Sequence, residues 1–169
     1  MSTNDPKRYL VQLSDYAKRH YVKRFEKKYP GRQWQFTLKS IVVELERVNE
    51  NIKSKKAETI HVDGARRIVK YYFRVAQTKD SAKSSGNRVI ALIDDTKDIV
   101  TILLIYSKNE ISSPNETTKW QSKVRDNFPG LRDLVQISIP MTLADEITAM
   151  LIVCQRKRHK VWNAYPQKI

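Results

Sequence analysis

The chain has 169 residues, with 32 lysines and arginines against 18 acids, giving a net charge of +14. That length suffices for one compact domain with a sizeable core, and the charge favours a phosphate polymer or an acidic protein partner unless it serves only solvation. The single cysteine, Cys154, excludes an internal disulfide, no run reaches the roughly 20 apolar residues of a membrane span, and the start lacks a secretion signal, so a cytoplasmic protein is expected.

After a polar leader, residues 8–14 (RYLVQLS) are expected to form a first strand with Tyr9, Val11 and Leu13 on one face. Ser14 can cap a helix over residues 15–29, where Ala17, Tyr21, Phe25 and Tyr29 recur every four residues. Lysines and arginines crowd its other surfaces. The aromatic stripe reads either as core or as a platform for stacked bases, and core is preferred. Pro30 and Gly31 end this helix, and a second is predicted from Trp34 or Phe36 to about Asn51, packing through Leu38, Ile41, Val42, Leu45 and Val48.

Residues 54–64 read as a polar interval, and residues 67–76 read as a strand because β-branched and aromatic side chains dominate. Lys53, Lys55, Lys56, Arg66, Arg67, Lys70 and Arg74 are the candidate RNA-binding cations, each open to the alternative of a solvated charge. A polar loop over residues 77–86 carries Ser84, Ser85 and Gly86, with no nucleotide-binding glycine fingerprint.

The clearest signal follows. Residues 89–93 are all apolar, 94–98 are polar and 99–106 are again mainly apolar, the pattern of two antiparallel strands joined by a short turn. Their continuous apolar character predicts a central position, buried on both faces and covered by helices. A connector over residues 109–118, a short helix over 119–128, a strand over 134–139 and a helix from residue 143 complete the chain. Beyond these lies the basic run QRKRHKVW.

Three catalytic chemistries find little support in the spacing. His20, His61 and His159 are scattered, without the companion ligands of a zinc site. Asp94, Asp95 and Asp98 suit a turn better than a magnesium site. Cys154 and His159 belong to a helix-to-tail transition, where an ordinary buried thiol is preferred to a hydrolase pair. No cofactor or metal is expected.

The fragments KSSGNRV at residues 83–89 and LLIYSKNE at residues 103–110, with the strand and two helices that precede them, resemble toxins of the RelE/HigB group within the RelE/ParE superfamily. Roughly residues 7–110 carry the resemblance. It implies an α+β fold with a mainly antiparallel sheet, two N-terminal helices and a C-terminal extension: a toxin core over 1–110, and residues 111–169 packed on it or continuing it. It also implies cleavage of messenger RNA, often on the ribosome, and inhibition by a cognate antitoxin, here expected to be acidic.

The family's lysine before the serine–glycine loop and its arginine at the next strand's start fall on Lys83 and Arg88. Its YSK pattern falls on Tyr106 and Lys108. The loop reads SSGN where the family has SGG and an aromatic residue, so Ser85 and Asn87 depart from it. The chemistry of the four residues suits the implied activity, since RNA supplies its own 2′-hydroxyl nucleophile. Lys83 and Arg88 can hold phosphate oxygens, Tyr106 can donate or relay a proton or stack on a base, and Lys108 can add positive field. The competing readings are a noncatalytic RNA-binding or ribosome-associated module, a basic protein-interaction domain and a gyrase-inhibiting relative.

Overall fold

The structure, a computed structural model, describes residues 6–111 and 115–135. These belong to a unit spanning Met1–Gln136, and a second unit is Ile137–Ile169. The helix expected from residue 143, Cys154, His159 and the basic run at 155–162 lie outside the described residues. Of the strand expected over 134–139, Leu134 and Val135 lie in a turn and are buried, and the remainder is also outside.

Five strands form one sheet: β1 (Leu10–Leu13), β2 (Ala57–Asp63), β3 (Arg66–Phe73), β4 (Asn87–Asp94) and β5 (Ile99–Ser107), in the order β1-β5-β4-β3-β2. β1 joins β5 in parallel and every other neighbouring pair is antiparallel. The fold is therefore α+β with a mainly antiparallel sheet. The two apolar runs become β4 and β5 near the middle, buried throughout Asn87–Ala91 and Ile102–Ser107. Apolar side chains on both faces require cover on both faces.

The first cover comes from the N-terminal helices. α1 (Asp15–Ala17), a π-helical turn (Lys18–Val22) and α2 (Lys23–Lys28) form one helical stretch, and the Ser14 hydroxyl caps it by accepting from the Ala17 N–H at 3.1 Å. Phe25 on α2 stacks on Trp34 at 4.6 Å between ring centres, and both reach Phe73 of β3. The second expected helix is split into α3 (Gln33–Glu46) and α4 (Val48–Lys53), with Arg47 leaving helical geometry at φ −111°, ψ 38°. The break persists because its carbonyls find other donors. Asn51 Nδ2 reaches the Glu44 carbonyl at 2.6 Å, and the Tyr9 N–H reaches that of Glu46 at 3.0 Å.

Residues 54–64, read as a polar interval, contain β2, which pairs with β3 across the two-residue turn Gly64–Ala65. Gly64 sits at φ +56°, where glycine carries no side-chain penalty. β2 is an edge strand that keeps Glu58, Thr59, Val62 and Asp63 exposed, so it never shows the apolar signature by which strands are recognised.

The opposite face of the sheet is covered by α5 (Glu116–Asn127) and the short 3-10 turn Pro129–Leu131. Trp120 and Val124 are fully buried there. Polar contacts fix the direction of α5 across the strands. Glu116 meets Tyr106 of β5, Gln121 meets His61 of β2 at 3.1 Å, and the Gly130 carbonyl accepts from Arg66 of β3.

Candidate active site

Directly opposed residues in antiparallel strands project to the same side of a sheet. Tyr72 of β3 opposes Arg88 of β4, and Arg88 opposes Tyr106 of β5. Three adjacent strands thus present tyrosine, arginine and tyrosine in one row, on the face that α5 covers. The guanidinium carbon of Arg88 lies 4.4 Å from the centre of the Tyr72 ring, a cation–π contact. Arg88 also donates to the carbonyls of Asn87 at 3.0 Å and Lys83 at 3.4 Å. Its orientation is set by the loop it follows.

That loop is fixed by Ser85 and Asn87. The Ser85 hydroxyl donates to the Phe73 carbonyl at 2.6 Å and accepts from the Asn87 N–H at 3.2 Å. Asn87 is buried at the start of β4. Gly86 takes φ +72°, and its carbonyl accepts from the Lys108 N–H at 2.8 Å. Lys83 and Lys108, both exposed, therefore flank the same corner of the sheet as Arg88 and Tyr106. Beyond β5, Glu110 accepts from the Ser107 N–H at 3.2 Å and pairs with Arg24 of α2, tying the YSK end to the first helical stretch.

Tyr106 is wholly buried and Arg88 is 9% exposed. The Tyr106 hydroxyl donates to Glu116 Oε1 at 2.8 Å. Burial, reinforced by that carboxylate, raises the Tyr106 pKa far above the ordinary phenol value, with Arg88 opposing the shift. Tyr72 is pushed up to about 12 by burial and by its hydrogen bond to Glu58. Both phenols are donors, not bases, at neutral pH. Tyr72, Glu58 and Glu116 escaped the sequence reading. Tyr72 lies in an aromatic strand that reads as core, and Glu116 lies in what reads as a polar connector.

The seven expected RNA-binding cations separate. Lys70 shares the face of Tyr72 and Arg88 and pairs with Glu58 at 3.4 Å. Arg66 shares it too and pairs with Asp63 at 2.6 Å. Arg67 points to the other face, where it grips Asp95 through two contacts at 2.8 and 2.9 Å and reaches Asn49 at 3.0 Å. Lys56 pairs with Glu44 at 3.6 Å. Lys53, Lys55 and Arg74 are exposed. Of the acidic turn, Asp94 accepts from the Thr96 and Lys97 N–H groups, Asp95 holds Arg67, and Asp98 pairs with Lys7. Among the described residues no cluster of histidine, cysteine and carboxylate side chains could hold a metal, and no helix is long and apolar enough to cross a membrane.

No family model and no curated protein matches the chain. Among solved structures the chain is similar to one in the crystal structure of the archaeal RelE-RelB complex from Pyrococcus horikoshii OT3, with 11% identity and a TM-score of 0.40 over 59% of this chain and 94% of that one.

Proposed function

We propose that this protein is a toxin-like endoribonuclease that cuts messenger RNA without a metal, working at the ribosome and held in check by an acidic partner protein. The observation that carries this reading is the row of Arg88 and Tyr106, opposed on neighbouring central strands, with Lys83 and Lys108 at the same corner. In the proposed reaction the RNA 2′-hydroxyl attacks the adjacent phosphorus, forming a 2′,3′-cyclic phosphate. The 2′-hydroxyl gives up its proton to water as it attacks, the bond to the 5′-oxygen breaks, and that oxygen takes a proton from Tyr106, whose phenolate is reprotonated by water. Arg88, Lys83 and Lys108 stabilise the charge developing on the phosphoryl oxygens, and Tyr106, protonated at neutral pH, supplies the donor. The exposed Lys53, Lys55 and Arg74 extend the surface for the RNA backbone.

A second reading, a noncatalytic RNA-binding module, is favoured by the burial of Arg88 and Tyr106 beneath α5. The discriminating experiment is cleavage of a defined messenger RNA, with and without translating ribosomes, by the native protein and by folded Arg88→Ala and Tyr106→Phe variants. Products from the native protein, reduced at least about 100-fold in both variants, are expected for groups acting in the transition state. RNA binding without products from the native protein sinks the nuclease reading, and unchanged cleavage by both variants sinks the residue assignment.

A further inference from the structure

The face that carries Arg88 and Tyr106 is closed by α5, and the way it is closed is specific. We infer that α5 is a self-inhibitory cover whose Glu116 carboxylate takes the place of an RNA phosphate, and that the single strand displaces it. This rests on the reading above, that the Arg88–Tyr106 row is the RNA site.

Glu116 is the first residue of α5 and the acceptor of the Tyr106 hydroxyl. A carboxylate presents oxygens as a phosphodiester does, so it satisfies the same donor without supplying a scissile bond. While it is there, Tyr106 has no exposed surface and Arg88 very little. Neither group can reach an RNA strand in that arrangement.

The cover is built to be displaced. Among the residues of α5, only Trp120 and Val124 are apolar. The indole N–H of Trp120 is buried with no acceptor, and it gains a water partner on release, offsetting part of the lost packing. Polar contacts add to that grip, among them Glu116 on Tyr106 and Gln121 on His61. A polyanion can compete for the first of these, and the net charge of +14 attracts one.

The test uses the full chain and a short single-stranded 2′-O-methyl oligonucleotide, which cannot cleave itself through the blocked 2′-oxygen. Its affinity is read by anisotropy, and amide exchange is read over Glu116–Asn127 and over Asn87–Asp94. Saturating oligonucleotide is expected to raise exchange in α5 at least about tenfold while leaving β4 protected. Glu116→Gln is expected to raise exchange in α5 without ligand and to tighten oligonucleotide binding about tenfold, the weight of one charge-assisted hydrogen bond. Thr117→Ala, on the exposed side of the same turn, is expected to change neither.

The cover is overturned by unchanged α5 exchange on binding, by absence of binding in both native protein and Glu116→Gln, or by weaker binding in Glu116→Gln. Failure of the nuclease reading looks different. In that case α5 opens on the oligonucleotide, but the native protein never cleaves RNA.

Discussion

Arg88 is held by the ring beneath it as well as by the loop carbonyls of Asn87 and Lys83. Tyr72 holds the guanidinium by its face, and a contact of this kind contributes about 0.5–2 kcal/mol, more when desolvated. Tyr72→Leu is expected to lower folding stability by about 1–2 kcal/mol and to free Arg88 to rotate, whereas Tyr72→Phe keeps the face and loses only the hydroxyl bond to Glu58. Urea unfolding of the two variants separates the contributions, and equal losses would remove the ring from the account. The same side chain gives a pH prediction. Its folded pKa, about 12, lies above the ordinary 10.0, so the neutral form is favoured by the fold. The stability this contributes is complete below pH 10 and is lost as pH rises from 10 towards 12. Native protein is expected to lose more stability than Tyr72→Phe across that interval, measured by urea midpoints against tyrosinate absorbance. That Arg88 and Tyr106 lie on adjacent antiparallel strands was legible in the sequence, from a short turn between two apolar runs; their direct opposition was not, because a bulge between Ile90 and Ala91 shifts the register by one residue. Tyr72 was not, since nothing in RIVKYYF says which of two adjacent tyrosines faces the helices and which faces arginine.

Between the elements, one polar cluster joins the start of the chain to the turn after β4. The Tyr9 hydroxyl donates to Asp95 at 2.6 Å, Asn49 Nδ2 donates to that hydroxyl at 3.0 Å, and Arg67 grips Asp95 with two nitrogens. It connects the lead-in to β1, α4, β3 and the β4–β5 turn. Burial opposes ionisation of Asp95, yet the bonds from Arg67 and Tyr9 outweigh it and leave its pKa below the ordinary 3.8. A depressed carboxylate stabilises the fold above its unfolded pKa, and that contribution fades as pH falls through the folded value. Asp95→Ala strands Arg67 and is expected to cost about 1–3 kcal/mol, read by urea unfolding at pH 7. A shift within error at pH 7 would show that water replaces the carboxylate at no cost. The elements meeting here were largely legible: strand, helical pair and central hairpin follow from periodicity and punctuation. Their joints were not. Asp95 reads as a turn residue and Arg67 as a cation for RNA, because a separation of 28 positions hides the pair. The break at Arg47 and the edge strand β2 were hidden for a related reason: each is held by partners elsewhere in the chain.

At the scale of the whole molecule the net charge of +14 overstates the positive surface available to RNA. Of the seven cations expected to line that surface, Lys56, Arg66, Arg67 and Lys70 are each paired with a carboxylate. A paired cation attracts a phosphate less, since its partner repels it and the pair must be parted before contact. Lys53, Lys55 and Arg74, with Lys83, Lys108 and, once α5 is displaced, Arg88 at the proposed site, make six groups that can meet phosphates. For a single strand the logarithm of the binding constant falls with the logarithm of salt by about 0.7 for each phosphate neutralised, so six contacts give a slope near about −4. Binding of the uncleavable oligonucleotide between 50 and 300 mM salt is expected to follow that slope. Arg88→Ala is expected to reduce the slope by about 0.7, one phosphate's share, and Arg67→Ala to leave it unchanged. A slope of about −10 would mean roughly 14 phosphates neutralised, far more than the six unpaired groups supply, and a diffuse field, not a built face, would then account for the affinity.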